Sequence, residues 1–455
     1  MPLTRRSLLA APALALPTAA FADAGDLPTA VRSLVFGQPM RPTEAMRVIA
    51  AERDPSLAPA LIFALRFTRA DRRPIVEHLA QLTGAAHEDW FDWMLWQEAH
   101  PAIRPAPWFV ELKREVFLAI DPNFSVFLRP EYLAPDRMKI RLEEITWGGV
   151  HKDGIPSLDN PPLIAAEAAD YLRPDDLVFG VAINGDVRAY PLRIMGWHEM
   201  FNEVIGGVPV ALAYCTLCGA GILFETQPDW RETPYIFGSS GFLYRSNKLM
   251  FDRETHSLWN QFTGKPVVGP LVDSLVELRQ RPVVIAPWAE WQTANPTTRV
   301  LSLATGHSRD YGSGVVYRQY FASPELMFPT RTDERRLRQK DYVFGIRLQG
   351  AAKAWPLAAF AGGRAINDRV GDLAVVLVGD ADGRTVRAYE RGGRTFRMGE
   401  APGTLDAADG GWRILETALE GPNGARLPRV AGHVAYWFAW DGYLGARSDL
   451  WTPNR

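Results

Sequence analysis

The stretch from Asp176 to Tyr214, DLVFGVAINGDVRAYPLRIMGWHEMFNEVIGGVPVALAY, decides the fold because it occurs twice. From Asp341 the chain reads DYVFGIRLQGAAKAWPLAAFAGGRAINDRVGDLAVVLVG, at a constant offset of 165 with 12 identities over 39 positions. The identities keep glycine, proline and asparagine at turn-forming positions, which chance alignment rarely does. We therefore predict an internal duplication with two homologous β-rich lobes, at 147–302 and 303–455.

Short strands are predicted inside each copy. In the first copy two strands flank Asn184-Gly185, a pair typical of a tight β-hairpin. The segment IMGWHEMFNEVIGG predicts a short helix, and the apolar run VPVALAY predicts a buried strand.

The residues before the first lobe have a helical pattern. PTEAMRVIAAERD, SLAPALIFALRFT, RRPIVEHLAQLTG and HEDWFDWMLWQEA carry apolar residues at three- and four-residue spacing. Thr43 and Asp54 are predicted N-cap residues, and Trp90 and Trp93 are predicted core residues. The fold class is therefore α+β, with a helical N-terminal domain at 23–146 followed by the two lobes.

The first 22 residues have the parts of a cleaved export signal. Arg5 and Arg6 form a twin-arginine pair, Leu8 to Ala20 is apolar, and Ala20-Phe21-Ala22 offers a cleavage site. The twin arginine favours the Tat export machinery over an ordinary Sec signal. We expect a mature chain without a membrane span, soluble in the periplasm or outside the cell.

Composition excludes several classes of function. The formal net charge is −2, and Lys and Arg are scattered rather than clustered, so nothing indicates a nucleic-acid partner. The chain has no G-x-S-x-G, H-E-x-x-H or Walker motif. The sequence CTLCG also lacks the histidine that c-type haem attachment requires.

The only two cysteines of the 455 residues are Cys215 and Cys218, directly after the buried strand. At the offset of the duplication, Cys215 aligns with Asp380 and Cys218 with Gly383. His198 aligns with Gly363 in the same way. The second lobe keeps the scaffold and lacks these side chains, so we predict a single functional site in the first lobe.

Cysteines at this spacing support three interpretations. They can exchange with substrate thiols through a mixed disulfide, with His198 tuning the thiolate or moving the proton. They can also form half of a metal site for copper, zinc or iron, completed by His198 or Glu199. The third interpretation is an inert disulfide, which would stabilise little because the loop it closes is very short.

The segment after the motif concentrates polar residues among aromatic ones, and it is predicted to complete a pocket. The predicted substrate-binding residues are Glu199, Tyr244, Arg245, Asn247, Arg253 and Trp259. For any one of them, a solvated hairpin charge or a core position is the alternative.

Several stretches carry a family resemblance: DGIPSLDNPP, AYPLRIMGWHEMFNEVIGGVPVALAYCTLCG, SGFLYRSNKLMFDRETHSLWNQFTGKPVVGPL and WAEWQTANP. They resemble the family known as domain of unknown function 3179, closely over 147–302 and as a degenerate copy in the second lobe. Some relatives carry selenocysteine at a cysteine of this motif, which implies redox chemistry there. Relatives usually have proline where this chain has Thr216, and many have glycine at the position of His256.

The sequence therefore predicts an exported protein with one Cys-x-x-Cys/His site. The leading hypothesis is a periplasmic oxidoreductase that acts on a small molecule or a thiol protein. The alternatives are a metal carrier without turnover and a partner-binding protein that docks through its helical domain.

Overall fold

The computed structural model describes residues 26–453. The predicted export signal, residues 1–22, lies outside these described residues. Within 26–453 no helix has both the length and the apolar character needed to cross a membrane. Helices dominate the N-terminal part and β-sheets the rest, which confirms the α+β class.

Six α-helices form the N-terminal region between residues 26 and 144. They are α1 (Leu27–Phe36), α2 (Pro42–Ile49), α3 (Ala58–Phe67), α4 (Arg73–Thr83), α5 (Trp90–Ala99) and α6 (Phe109–Ile120). All ten residues of α3 are buried, so it is the central helix of this region. Trp90 and Trp93 are buried as predicted.

One of the two predicted helix caps is wrong. Arg41 is the N-cap of α2 and Pro42 begins the helix, so Thr43 lies inside the first turn. The fixed φ of proline suits the first helical position, which explains the earlier start. Asp54 does cap a helical turn, since its carboxylate accepts from Ser56 N at 2.9 Å.

The first lobe contains three five-stranded sheets and two short helices. The order of the strands in the three sheets is β1-β9-β10-β11-β12, β13-β8-β7-β6-β2 and β14-β4-β5-β15-β3. The strands are β1 (Ile145–Trp147), β2 (Leu158–Asp159), β3 (Leu163–Ala165), β4 (Leu177–Ile183), β5 (Asp186–Pro191), β6 (Met200–Ile205), β7 (Val208–Cys215), β8 (Ala220–Glu225), β9 (Phe237–Tyr244), β10 (Asn247–Asp252), β11 (Leu258–Asn260), β12 (Lys265–Val268), β13 (Gln280–Arg281), β14 (Val284–Pro287) and β15 (Arg299–Leu301). The helices are α7 (Leu192–His198) and α8 (Trp288–Ala294).

The second lobe contains a four-stranded and an eight-stranded sheet, ordered β26-β16-β17-β27 and β18-β19-β20-β25-β24-β23-β22-β21. Its strands are β16 (Tyr342–Leu348), β17 (Ala351–Pro356), β18 (Arg364–Val370), β19 (Leu373–Asp380), β20 (Thr385–Glu390), β21 (Arg397–Met398), β22 (Thr404–Ala407), β23 (Gly410–Ile414), β24 (Ala418–Glu420), β25 (Arg426–Val430), β26 (His433–Tyr436) and β27 (Asp449–Leu450). Helix α9 (Arg318–Ala322) lies in the segment between the lobes, and α10 (Trp437–Leu444) follows β26.

The two lobes repeat the same order of elements. Strands β4, β5, β7 and β8 have the bounds of β16, β17, β19 and β20 at the offset of 165. The neighbours also correspond, since β14-β4-β5-β15 has the order of β26-β16-β17-β27. In each lobe a tryptophan ring, Trp291 or Trp440, occupies the space that a side chain on Gly180 or Gly345 would need. Common descent of the lobes, and the domain boundaries, stay predictions.

The predicted helix over IMGWHEMFNEVIGG is only half right. Helix α7 ends at His198 because Glu199 adopts the left-handed conformation, with φ 55°. Met200–Ile205 then forms strand β6, which pairs with β7. The predicted hairpin is confirmed, with Asn184 and Gly185 both at positive φ between β4 and β5.

One hydrophobic core joins the helical region to both lobes. Phe117 of α6 stacks on Phe242 of β9 with ring centroids 5.0 Å apart. The same cluster of buried side chains includes Trp437 and Tyr443 of α10. The sheet that carries β9 and β10 is therefore packed between the N-terminal helices and the second lobe.

Candidate functional site

The two cysteines form a disulfide in the turn between β7 and β8, with their Cα atoms 5.2 Å apart. The turn is tight, because Cys218 N donates to Cys215 O at 3.1 Å and Gly219 N donates to Thr216 O at 3.2 Å. Gly219 has φ +59°, and a Cβ there would lie 2.9 Å from Tyr342. The packing against Tyr342 therefore leaves no room for a side chain at 219, and glycine also takes this backbone angle without strain.

The second lobe makes the corresponding turn without sulfur. Between β19 and β20, the Asp380 carboxylate accepts from Asp382 N at 2.9 Å and from Gly383 N at 3.1 Å. Arg384, at the position of Gly219, has φ 53° and so takes the same left-handed conformation. Side-chain hydrogen bonds of this kind are a standard way to close a turn. The second lobe thus shows that a turn at this place in the scaffold can form without a disulfide.

A buried ion pair adjoins the cysteine turn. Thr216 Oγ1, between the two cysteines, donates to Glu199 Oε1 at 2.6 Å. Lys248 Nζ donates to the other carboxylate oxygen of Glu199 at 3.1 Å. All three side chains are buried. Buried charges persist only when they are paired and hydrogen-bonded, so this group fixes the turn and places two charges beside it.

An aromatic wall, formed by Tyr317, Tyr320, Tyr342 and Tyr436, covers the turn from outside the first lobe. Tyr320 Oη donates to Leu217 O at 2.7 Å, and Tyr436 N donates to Cys218 O at 2.8 Å. The rings of Tyr342 and Tyr436 stack at 4.3 Å. Burial raises the pKa of Tyr317, Tyr320 and Tyr436 well above the usual value for tyrosine. These three side chains are therefore uncharged at neutral pH.

Both sulfur atoms lie under this cover. Cys215 is 3% exposed and Cys218 is fully buried. Cys218 Sγ lies 3.6 Å from Ser246 O, in the turn between β9 and β10. Cys215 is the more accessible of the two cysteines.

Strained backbone positions surround the disulfide. Five non-glycine residues with positive φ lie around it: Glu199, Arg245, Ser246, Tyr317 and Arg384. Arg245 and Ser246 form the two-residue turn between β9 and β10, where Asn-Gly is the usual pair. Each such residue costs on the order of 1–3 kcal/mol, and such positions cluster at functional sites.

The hydrogen bonds of His198, which is predicted to tune the thiolate or move the proton, are made to residues other than the cysteines. Its Nδ1 contacts Pro156 O at 2.9 Å. A carbonyl can only accept, so Nδ1 carries the proton and Nε2 accepts from Tyr311 Oη at 2.6 Å. The ring is fully buried, and this burial lowers the pKa of His198 to about 4. Its two ring nitrogens are thus engaged by residues outside the cysteine turn.

The predicted metal site finds no support in residues 26–453. Both sulfurs are bonded to each other, and both His198 nitrogens have other partners. In that part of the chain, no three His, Cys, Asp or Glu side chains are grouped so that they could hold a metal ion. Glu199, the other proposed ligand, is paired with Lys248.

The predicted substrate-binding residues divide into two groups. Glu199 adjoins the cysteine turn, and Tyr244, Arg245 and Asn247 belong to the β9–β10 hairpin that reaches Cys218 through Ser246. Two others lie elsewhere. Arg253 pairs with Asp153 at 3.0 Å, whereas Trp259 is a core residue packed on Tyr235 and Phe237.

Sequence reasoning missed Thr216, Lys248 and the aromatic wall. Lys248 directly precedes the apolar run Leu249–Phe251 in β10, which is a usable signal because lysine is rarely buried without a partner. Tyr342 and Tyr436 gave no such signal, because they reach the cysteines from the other lobe.

A cavity of about 610 Å³ lies beside the covered turn. Trp197 of α7, Val316 and Met327 line it, together with Tyr317 and Tyr320 of the aromatic wall. A pocket of this size suits a small organic ligand or a peptide side chain. Through Tyr317 and Tyr320 it borders the aromatic wall that covers the cysteine turn.

Comparison with known proteins identifies a family whose function is unknown. The family described as protein of unknown function (DUF3179) matches residues 152–446, more than half of the chain. The match runs through both lobes, so the close resemblance is not limited to 147–302. Neither the curated proteins nor the solved structures gave a match. On this match and on the cysteine motif in its first lobe, the chain belongs to the DUF3179 family.

Proposed function

We propose that the protein is an exported thiol–disulfide oxidoreductase whose reactive group is the Cys215–Cys218 disulfide. One observation carries the proposal: the second lobe closes the corresponding turn without sulfur, through the Asp380 carboxylate and the backbone hydrogen bond from Arg384 N to Ala381 O. A fold that forms this turn without sulfur has no structural need for a cysteine pair. The buried ion pair and the strained backbone beside the disulfide support the same conclusion.

The reaction oxidises a dithiol in a peptide or protein by two electrons. A substrate thiolate attacks Cys215 Sγ, the S–S bond breaks, and Cys218 leaves as a thiolate that takes up a proton. The second substrate thiolate then attacks the substrate sulfur of the mixed disulfide, and Cys215 leaves. The substrate gains a disulfide, while the protein gains two thiols and the two protons. A disulfide partner is needed to return the protein to its oxidised form.

Accessibility and hydrogen bonding assign the two cysteines different roles. Cys215 is attacked because it is the more exposed. Cys218 lies 3.6 Å from Ser246 O, and a carbonyl there stabilises the protonated thiol rather than the thiolate. Cys218 is therefore the buried leaving group of the first step, and it ends as a protonated thiol.

Glu199, Thr216 and Lys248 are positioning residues in this proposal. Thr216 connects the cysteine turn to the Glu199 carboxylate, and Lys248 balances the charge of that carboxylate. A positive charge near a cysteine favours its thiolate form. The two opposite charges also hold the turn in place as the S–S bond opens and closes.

Substrate access requires the aromatic wall to move. Tyr320 is bonded to Leu217 O and also lines the 610 Å³ cavity. The segment with Tyr317 and Tyr320 therefore covers the disulfide and also lines the 610 Å³ cavity. Displacing these two side chains joins the cavity to Cys215.

The proposed reaction is tested with the single variants Cys218→Ser and Cys215→Ser, using 5,5′-dithiobis(2-nitrobenzoate) as the probe. A cysteine thiolate attacks the probe disulfide, forms a mixed disulfide and releases one coloured thiolate. We expect Cys215 to react in the folded protein at least tenfold faster than Cys218. In urea both variants should react at the same rate, which controls for intrinsic reactivity. A folded protein in which neither cysteine reacts would sink the proposal.

The burial of both sulfurs favours a second candidate function, a partner-binding protein without turnover. In that case the disulfide only ties β7 to β8. Such a protein would bind its partner equally well with Cys215 and Cys218 both replaced by alanine, and its cysteines would stay unreactive until it unfolds.

We propose export by the Tat route from residues 1–22. The test replaces Arg5 and Arg6 with lysine and measures where the chain accumulates. Retention of the double variant in the cytoplasm is the expected result, because the Tat machinery reads the arginine pair. Undiminished export of the variant would favour the Sec alternative.

A further inference from the structure

A second cavity, of about 860 Å³, lies between the helical region and the second lobe. We call it the arginine cavity, because five arginines line it: Arg245, Arg331, Arg335, Arg336 and Arg447. They come from three parts of the chain, namely the β9–β10 turn, the segment between the lobes and the end of α10. None of the lining residues belongs to the cysteine turn or to the aromatic wall.

Several of these guanidinium groups are not neutralised. Among the described residues, Arg331 and Arg447 have no carboxylate within ion-pair distance. Arg447 donates only to the backbone oxygens of Tyr443 and Leu444. Arg336 is 3.9 Å from Asp441 and lies over the ring of Trp437. Two guanidinium groups on the walls, those of Arg331 and Arg447, are therefore outside any ion pair among the described residues.

The four carboxylates of the cavity do not cancel this charge. Asp333 is held by Arg335 at 2.8 Å, and Glu334 is exposed at the rim. Glu98 accepts from Arg331 N at 2.9 Å, and burial raises the pKa of Glu98 to about 7. Burial also raises the pKa of Asp441.

We propose that the arginine cavity binds a small organic molecule with two anionic groups, carboxylate or phosphate. Guanidinium groups match both anions through paired N–H donors. Arg331 and Arg447 come from different parts of the chain, and each of them can bind one anionic group. The volume suits a ligand of metabolite size. This site is independent of the proposed disulfide chemistry.

The test is isothermal titration of the full exported chain with citrate and, separately, with inorganic pyrophosphate at constant ionic strength. The double variant Arg331→Gln with Arg447→Gln should weaken binding at least tenfold. Arg335→Gln is the matched control, since Arg335 lines the same cavity but is already paired with Asp333. We expect less than a twofold change for it. The preferred probe tells whether the ligand is a carboxylate or a phosphate.

Two results would overturn the inference. One is the absence of binding by either probe to the wild-type protein. The other is an equal loss of affinity in Arg335→Gln and in the double variant, which would indicate attraction by net charge alone. Because Arg447 bonds to backbone oxygens at the end of α10, the single variant Arg331→Gln is measured as well. It removes no backbone hydrogen bond and should still weaken binding at least threefold.

Discussion

Strands β4, β5, β7 and β8 of the first lobe correspond to β16, β17, β19 and β20 of the second, but the turns that follow β7 and β19 differ. Strands β7 and β8 are joined through a disulfide, whereas β19 and β20 are joined through the carboxylate of Asp380. Another matched feature is the tryptophan ring that lies over a strand glycine, with Trp291 over Gly180 in the first lobe and Trp440 over Gly345 in the second. A turn of this kind therefore forms in both lobes, and only the first lobe adds a disulfide to it.

The second lobe is nevertheless part of the site. Tyr342 and Tyr436 come from it, and Tyr436 N is bonded to Cys218 O. The relation is mutual, because Gly383 in the turn of the second lobe lies against Pro287 of the first. Each lobe therefore covers the turn of the other, and only one of the two covered turns contains sulfur.

The largest expected effect tests the shared scaffold. Trp291→Ala and Trp440→Ala each remove a fully buried ring from the equivalent place in one lobe. Each should lower the free energy of unfolding by about 3–5 kcal/mol, measured by urea denaturation. Similar losses in both variants would support equivalent packing. A loss below about 1 kcal/mol in only one of them would break the comparison.

The buried ion pair exists only in the first lobe. Glu199→Gln leaves Lys248 buried without its counter-charge and should destabilise the protein by about 3 kcal/mol. Adding Lys248→Met should recover part of this loss, because the uncompensated charge is removed. Arg364→Gln, at the matching position of the second lobe, is the control and should change stability by less than about 0.5 kcal/mol. Additive effects of the Glu199 and Lys248 substitutions would contradict the pairing.

Each lobe also buries a neutral histidine, which gives a dependence on pH. Burial lowers the pKa of His198 to about 4 and that of His433 to about 3. The unfolded chain binds these protons first, so stability falls as pH decreases below about 6.5, by about 2 kcal/mol per histidine at pH 5. Glu98 and Glu203 oppose this, because their pKa is raised to about 7 and their protonation stabilises the folded form as pH falls.

Variants distinguish the contribution of the histidines to the pH dependence of stability from that of the carboxylates. Between pH 7 and pH 5, the change in melting temperature should be more favourable in His198→Asn and in His433→Asn than in the wild type. Since the carboxylates are unchanged in both variants, the difference reports the histidine alone. A change equal to that of the wild type in His198→Asn would show that this ring is not neutral in the folded protein.

The smallest expected effect is that of the disulfide on stability. A bond that closes so short a loop should contribute no more than about 2 kcal/mol. Reduction of the wild-type protein should therefore leave it folded, as followed by circular dichroism and urea denaturation. Unfolding on reduction would mean that the first lobe needs its disulfide, unlike the second lobe.

Much of the fold follows from local sequence signals. The apolar periodicity predicts the N-terminal helices, Asn184-Gly185 predicts its hairpin, and the constant offset predicts matching strands in the two lobes. The sequence predicts helix where β6 lies, because nothing local marks Glu199 as the residue at which α7 ends. Its left-handed conformation depends on tertiary contacts with Thr216 and Lys248.

The candidate site was only partly predictable. The cysteine pair is visible as a motif, and its position after a buried strand is correct. The partners of His198 are Pro156 and Tyr311, which are 42 and 113 residues away in sequence. Pairings of this range leave no local pattern, so the partners of the two ring nitrogens cannot be predicted from the residues around His198.

The most direct test of the central claim is a redox titration of the folded protein. The protein is equilibrated in buffers of defined thiol–disulfide potential, and free thiols are counted per chain after alkylation. We predict that Cys215 and Cys218 titrate together, reversibly, as a two-electron couple at roughly −120 to −270 mV, the range of exchange proteins. A disulfide that stays oxidised until the chain unfolds would contradict the account and leave the cysteine pair as a staple.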